Sequence, residues 1–160
     1  MRGASPLWVL LLIPAVLLVL LAATVLFFEG RKAYWDYRVR EMCAKDGGVK
    51  VFETVKLPSE KFNEWGQINF YRPTQGERSL GPEYVFLSDV YHYRKSNPQV
   101  ARYHIQVFRR SDGKLLGESI SYGRGGGDLP SPSHGSGFHC PKEYGDIPFF
   151  EKLFIQINKE

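Results

Sequence analysis

No charged residue stands between Leu7 and Phe28, "LWVLLLIPAVLLVLLAATVLFF". That absence spans 22 residues, and as a helix the stretch would measure about 33 Å against a hydrocarbon core of about 30 Å. Hydrocarbon offers no water to backbone groups, so a single crossing segment has to be helical. Pro14 lies in its first half, a position that membrane helices tolerate. The stretch is too long for the apolar region of a cleaved signal, about 7–15 residues. Cleavage after Ala23 would also put the bulky Leu21 where a small residue is needed. The expectation is an uncleaved signal anchor over 7–28, behind a short tail at 1–6. Trp8 at one end and Tyr34, Trp35 and Tyr37 at the other suit interfacial aromatic anchors.

Cysteine is also scarce. Only Cys43 and Cys140 occur, and neither is a lipobox cysteine near the N-terminus, so a lipid-anchored form is not expected. No C-x₂-C pair is present to open a zinc site. "GRGGGD" at 123–128 lacks the following Lys-Ser/Thr of a phosphate loop, and no GxSxG, HExxH or EF-hand loop appears. The formal net charge is +4, spread without a basic block. A nucleic-acid surface would need a concentrated patch, so none is expected. There is no internal repeat.

What is present begins with "EGRKAYWDYRVREMCAKDGG". Trp35, Val39, Met42 and Cys43 recur with helical spacing, and Gly47 and Gly48 stop the helix. A juxtamembrane helix is expected over 29–48. Its basic residues Arg31, Lys32, Arg38, Arg40 and Lys45 imply a weak affinity for anionic lipid heads. "VKVFETVKL" reads as one strand. "SEKFNEW" reads as one or two helical turns with Ser59 as N-cap, and "QINFY" as a short strand. "EYVFLSDVYHYR", "ARYHIQVFRR" and "LLGESISYG" form a three-stranded antiparallel meander. Gly113 in "SDGK" turns its second hairpin. The Gly/Pro/Ser-rich run 123–141 is expected to be a loop. "DIPFFEKLFIQIN" fits a final helix with Asp146 as N-cap, although "KLFIQIN" also alternates as a strand would.

The expected fold class is α+β. An N-terminal transmembrane helix precedes a small domain, 49–160, with an antiparallel sheet of four or five strands, a central meander and two or three helices on one face.

Three sets of side chains are candidates for chemistry. Cys43 and Cys140 stand near the two ends of the domain and are expected to pair as a disulfide, which needs an oxidising compartment. His134, His139 and Cys140 are an alternative metal-binding set, since the two histidines have a permitted ligand spacing. Tyr91, Tyr93, Arg94, Arg102 and Tyr103 make an aromatic and basic partner-binding candidate. His92 and His104 read as cross-strand residues, and no catalytic set or cofactor is expected.

The positive-inside count would keep the domain in the cytoplasm, whereas paired cysteines favour the opposite side. The reading adopted is a single-pass protein of the inner (cytoplasmic) membrane of a bacterial cell envelope, with its domain extracytoplasmic. Its expected role is a non-enzymatic interaction or accessory module, with the lipid bilayer and another envelope protein as partners. The alternative is a small membrane-tethered enzyme or metal-binding protein using the His/Cys loop.

Overall fold

The computed structural model describes residues 6–129 and 135–157, with side chains of the first helix described from Leu12 onward. One helix, α1 (Pro6–Asp46), runs from the apolar stretch into the domain without a break. Gly30 does not interrupt it. The side chains from Leu12 to Leu21 are more than half exposed where they are large and apolar. This part of α1 is long and apolar enough to cross a membrane.

The chain then enters the sheet through β1 (Gly48–Val51). Gly48 has φ 121°, a backbone open to glycine alone at low cost. The expected single strand is broken here. The amides of Phe52 and Glu53 both reach Leu116 O, at 2.8 and 3.0 Å, so two residues oppose one acceptor and the ladder ends. Beyond the kink, β2 (Val55–Leu57) pairs with another segment.

A short 3₁₀ turn follows at Ser59–Lys61. Its cap residue is Pro58, and no side chain caps it, so Ser59 is not the expected N-cap. "QINFY" is not a strand either. Only one antiparallel bridge, Phe62 to Ile68, forms there, while Phe70 and Tyr71 turn their rings onto the core. A second 3₁₀ segment occupies Pro73–Arg78.

The meander is β3 (Tyr84–Arg94), β4 (Gln99–Arg109) and β5 (Leu115–Gly125), each of 11 residues. The residues are those whose branched and aromatic side chains fit a pleated surface. The run 123–141 departs from the expected loop at both ends. β5 extends through Gly125, and β6 (Gly137–Cys140) pairs with it antiparallel, Tyr122 opposite Cys140. Strand order is β1-β5-β4-β3, with β6 also on β5. The C-terminal segment takes both expected forms in succession. Helix α2 (Asp146–Leu153) is followed directly by β7 (Phe154–Gln156), which runs parallel to β2. Asp146 is the first helical residue, and Gly145 is the cap. The Asp146 carboxylate instead accepts a hydrogen bond from the Tyr71 hydroxyl.

The fold is α+β with an antiparallel sheet, but its helices lie on opposite faces rather than one. Positions 117 and 120 of β5 point to opposite sides of the sheet. Gly117 lies under the Phe149 ring of α2, and Ile120 packs with Val39 and Cys43 of α1. One core therefore joins Phe86, Ile105, Val107, Leu116, Phe149, Phe150 and Phe154. A second, smaller core joins α1 to Val100, Ile120 and Tyr122.

Candidate functional site

Polar and covalent ties hold α1 along the sheet. Cys43, 7% exposed, is bonded to Cys140 of β6 with Cα atoms 6.0 Å apart. Asp46 at the helix end accepts from the Tyr122 hydroxyl at 2.7 Å and from Arg102 Nη2 at 3.2 Å. Asp36 accepts from Arg124 Nε at 2.5 Å. Lys32 Nζ donates to Asp128 at 3.0 Å. Moving along β5 away from Tyr122 thus means moving back along α1 toward the apolar stretch, so strand and helix run side by side in opposite directions.

These contacts set the ionisation of their members. Burial alone would raise the Asp46 carboxyl, but the hydrogen bonds from Tyr122 and Arg102 outweigh it and hold the group below its ordinary value. The Tyr122 hydroxyl is pushed well up, first by burial and then by Asp46. Asp128 is held at about 2, first by the Ser136 backbone N–H and then by Lys32. The Ser136 amide donates at 2.5 Å.

β3 is the last strand of the sheet, and its outer edge pairs with no strand among the described residues. Its first half is buried at Tyr84 and Phe86, and the segment Pro73–Arg78 flanks it. From Ser88 to Tyr93 it is exposed on both faces. Val90 is 49%, Tyr91 62% and Tyr93 49% exposed. Tyr91 and Tyr93 meet edge to face at 5.0 Å, and Tyr93 stacks on Tyr122 at 6.3 Å. A groove of about 640 Å³, lined by Tyr71, Gly76, Phe86, Ser88 and Asp89 among others, opens beside the same strand.

The candidate partner-binding residues divide between the faces. Tyr91 pairs in register with Arg102, on the side of α1. Arg94 lies on that side too, its guanidinium 5.5 Å from the Trp35 ring centroid. Tyr103, opposite Val90 and 37% exposed, is on the other face. Of the alternative metal set, Cys140 has its sulfur bonded to Cys43. Its neighbour His139 points to the other side of β6 and stacks on Tyr144 at 4.2 Å with the rings 8° apart. Burial, with the charge of Arg124, lowers the His139 pKa. His134 lies outside the described residues. Among the described residues no three His, Cys, Asp or Glu side chains gather as a metal-ligand set.

Sequence reasoning missed Asn97 and Arg124, and took Arg31 only as one of five basic residues beside the apolar run. Arg124, inside the expected loop, is only 4% exposed. Asn97 ties the β3–β4 turn to the loop after β5, its side-chain oxygen accepting from Gly127 N at 2.6 Å. The Asn97 carbonyl receives both Arg31 and Arg94. No protein-family model matches the chain, and neither a curated protein nor a solved structure is similar to it.

Proposed function

We propose that this protein is a single-pass, membrane-anchored interaction module of the cell envelope whose domain stands on the extracytoplasmic side. It works without catalysis of its own by adding an extended segment of another envelope protein to the outer edge of β3. The observation that carries this reading is the open half of β3, Ser88 to Tyr93, where an outer edge that pairs with no strand among the described residues coincides with exposed Val90, Tyr91 and Tyr93. Such an edge is a template for strand addition, and proteins that do not use it cover or charge it. Tyrosines there add apolar area at low entropic cost.

The disulfide supports the extracytoplasmic side, because such bonds persist in oxidising compartments. The exposed apolar part of α1 supports the anchor. A second copy is a poor occupant of the edge. Antiparallel β3–β3 pairing needs a two-fold axis perpendicular to the sheet. Because the strands run alongside α1, that axis would point the second anchor away from the bilayer.

Photo-crosslinking in intact cells tests the proposal. A benzophenone side chain at Tyr91 should give one discrete heterologous adduct, whereas the same probe at Lys61, far along the chain from the edge, should not. Tyr91→Lys, which places a charge on the edge, should weaken partner capture while the Cys43–Cys140 bond still forms. Adducts equally strong from both positions, or only a self-adduct, would overturn the reading.

A further inference from the structure

Arg31 and Arg94 come from segments far apart in sequence, yet they converge on one atom. Arg31 Nη2 donates to the Asn97 carbonyl oxygen, and Arg94 Nη2 donates to the same oxygen at 3.3 Å. Neither guanidinium forms an ion pair among the described residues, and the Nε of each is buried with no hydrogen-bond partner. Glu29, two residues before Arg31, and Asp128 are both taken by Lys32, at 2.7 and 3.0 Å. Both guanidiniums are also held from behind by aromatic rings. Arg31 lies 5.9 Å from the Phe27 and Phe28 centroids and Arg94 5.5 Å from that of Trp35. Two like charges share one neutral acceptor, and among the described residues nothing takes their remaining N–H groups. Such an arrangement is complementary to an anion with several oxygens, since each guanidinium fork can donate two parallel hydrogen bonds to a phosphate.

The height of the pair narrows the choice of anion. Arg31 is three residues beyond Phe28, about 4.5 Å along a helix. The headgroup layer of a leaflet is about 5–7 Å deep. Because α1 continues unbroken into the domain, this height is fixed by the helix rather than left to a flexible linker. The exposed Lys95, next to Arg94, adds a third cation on the same turn.

We infer that Arg31 and Arg94, seated on the Asn97 carbonyl and flanked by Lys95, form a binding site for the phosphate of an anionic lipid headgroup in the leaflet that faces the domain. The inference rests on the reading of α1 as a membrane anchor. It goes beyond a diffuse attraction of basic residues to lipid, because it names one phosphate and two forks.

Trp35, beneath Arg94, is a built-in reporter. The full chain carrying Trp8→Phe and Trp65→Phe, in neutral detergent, would be titrated with short-chain phosphatidylglycerol, phosphatidylcholine of the same chain length, and inorganic phosphate. Phosphatidylglycerol should change the Trp35 fluorescence saturably, and the other two at concentrations at least about tenfold higher. The double variant R31Q/R94Q should weaken phosphatidylglycerol binding about thirtyfold, as expected for two interfacial cations. The charge-matched K61Q/K142Q should stay within about twofold of the parent. Arg94→Lys keeps the charge and loses the fork, so it should weaken binding several-fold. It also serves if the double variant fails to form its disulfide. Equal losses in R31Q/R94Q and K61Q/K142Q, undiminished binding by Arg94→Lys, or inorganic phosphate as effective as the lipid would each overturn the inference. Extraction of cell membranes with alkaline carbonate separates this from the anchor itself. Release of the protein would refute the anchor, while retention combined with any of the outcomes above would refute the phosphate site alone.

Discussion

Asp36→Ala should be among the most damaging single substitutions outside the two hydrophobic cores. Its partner Arg124 is 4% exposed, and the bond between Arg124 Nε and Asp36 is 2.5 Å long. The other Arg124 donors reach only neutral acceptors, the Gly126 carbonyl and the Ser136 carbonyl and hydroxyl. Removing the carboxylate therefore leaves a guanidinium buried without a counter-charge, a defect that costs about 3–5 kcal/mol. That is a large part of the roughly 5–15 kcal/mol that holds an ordinary domain folded. Arg124→Met fills similar volume and leaves Asp36, whose side chain is 21% exposed, with access to water. Its cost should be smaller, about 1–3 kcal/mol for the hydrogen-bonding groups left behind. The decisive variant is the double one. Adding Arg124→Met to Asp36→Ala removes the orphaned cation and should restore stability relative to Asp36→Ala alone. Urea unfolding of the full chain in detergent, followed by tryptophan fluorescence, measures this. With a slope of about 2 kcal/mol per molar, Asp36→Ala should lower the midpoint by about 2 M at unchanged slope. A midpoint shift below about 0.5 M for Asp36→Ala, or a double variant less stable than Asp36→Ala, would refute the reasoning.

Two further outcomes follow from the same region. Replacing both Cys43 and Cys140 by serine opens a link between residues 97 apart in sequence. The chain-entropy model gives about 4–5 kcal/mol for that, read as a fall in the urea midpoint under non-reducing conditions. Unchanged midpoints would show that the bond adds nothing to the packing around it. The second outcome concerns pH. Asp128 is held at about 2 from an ordinary 3.8, so its depressed pKa adds stability that is present above about pH 3.8. That contribution is lost as pH falls through about 2. Protection of the Ser136 amide from hydrogen exchange, taken relative to its intrinsic rate at each pH, should fall across that window, and Asp128→Asn should remove the dependence. A fall in protection that persists in Asp128→Asn would assign the effect to other groups.

The periodic parts of this chain are legible in its residue order. An uncharged run of 22 residues has one solution in hydrocarbon. The alternation of Tyr103, Ile105 and Val107 against Arg102, His104 and Gln106 reports the two faces of a strand directly. Gly113 marks its hairpin through a positive φ that only glycine adopts cheaply. The two cysteines can be matched because there are only two. These features arise from neighbours a few residues apart, or from elimination, and a sequence carries both kinds of information.

Long-range geometry is not written in any such window. "GRGGGD" has the composition of a loop, yet Gly123 and Arg124 are buried in β5. Packing explains why small residues are needed there, since a Cβ on Gly123 would stand 3.0 Å from the His139 ring. "QINFY" alternates like a strand but finds no continuous partner, and its rings pack on the core instead. Likewise "VKVFETVKL" carries Val49, Val51, Val55 and Leu57 on one parity, and the pattern fails only at Phe52 and Glu53, whose amides share the Leu116 carbonyl and divide the strand. Residue order alone is enough for the long apolar helix, the meander and the two sulfurs, because hydrophobic period and residue count are local quantities. It took tertiary packing to set the helices on opposite faces, to bury Arg124 against Asp36, and to bring Arg31 and Arg94 together over one carbonyl. Burial and charge pairing depend on which distant segments the fold brings within a few ångströms, and nothing in residue order records that.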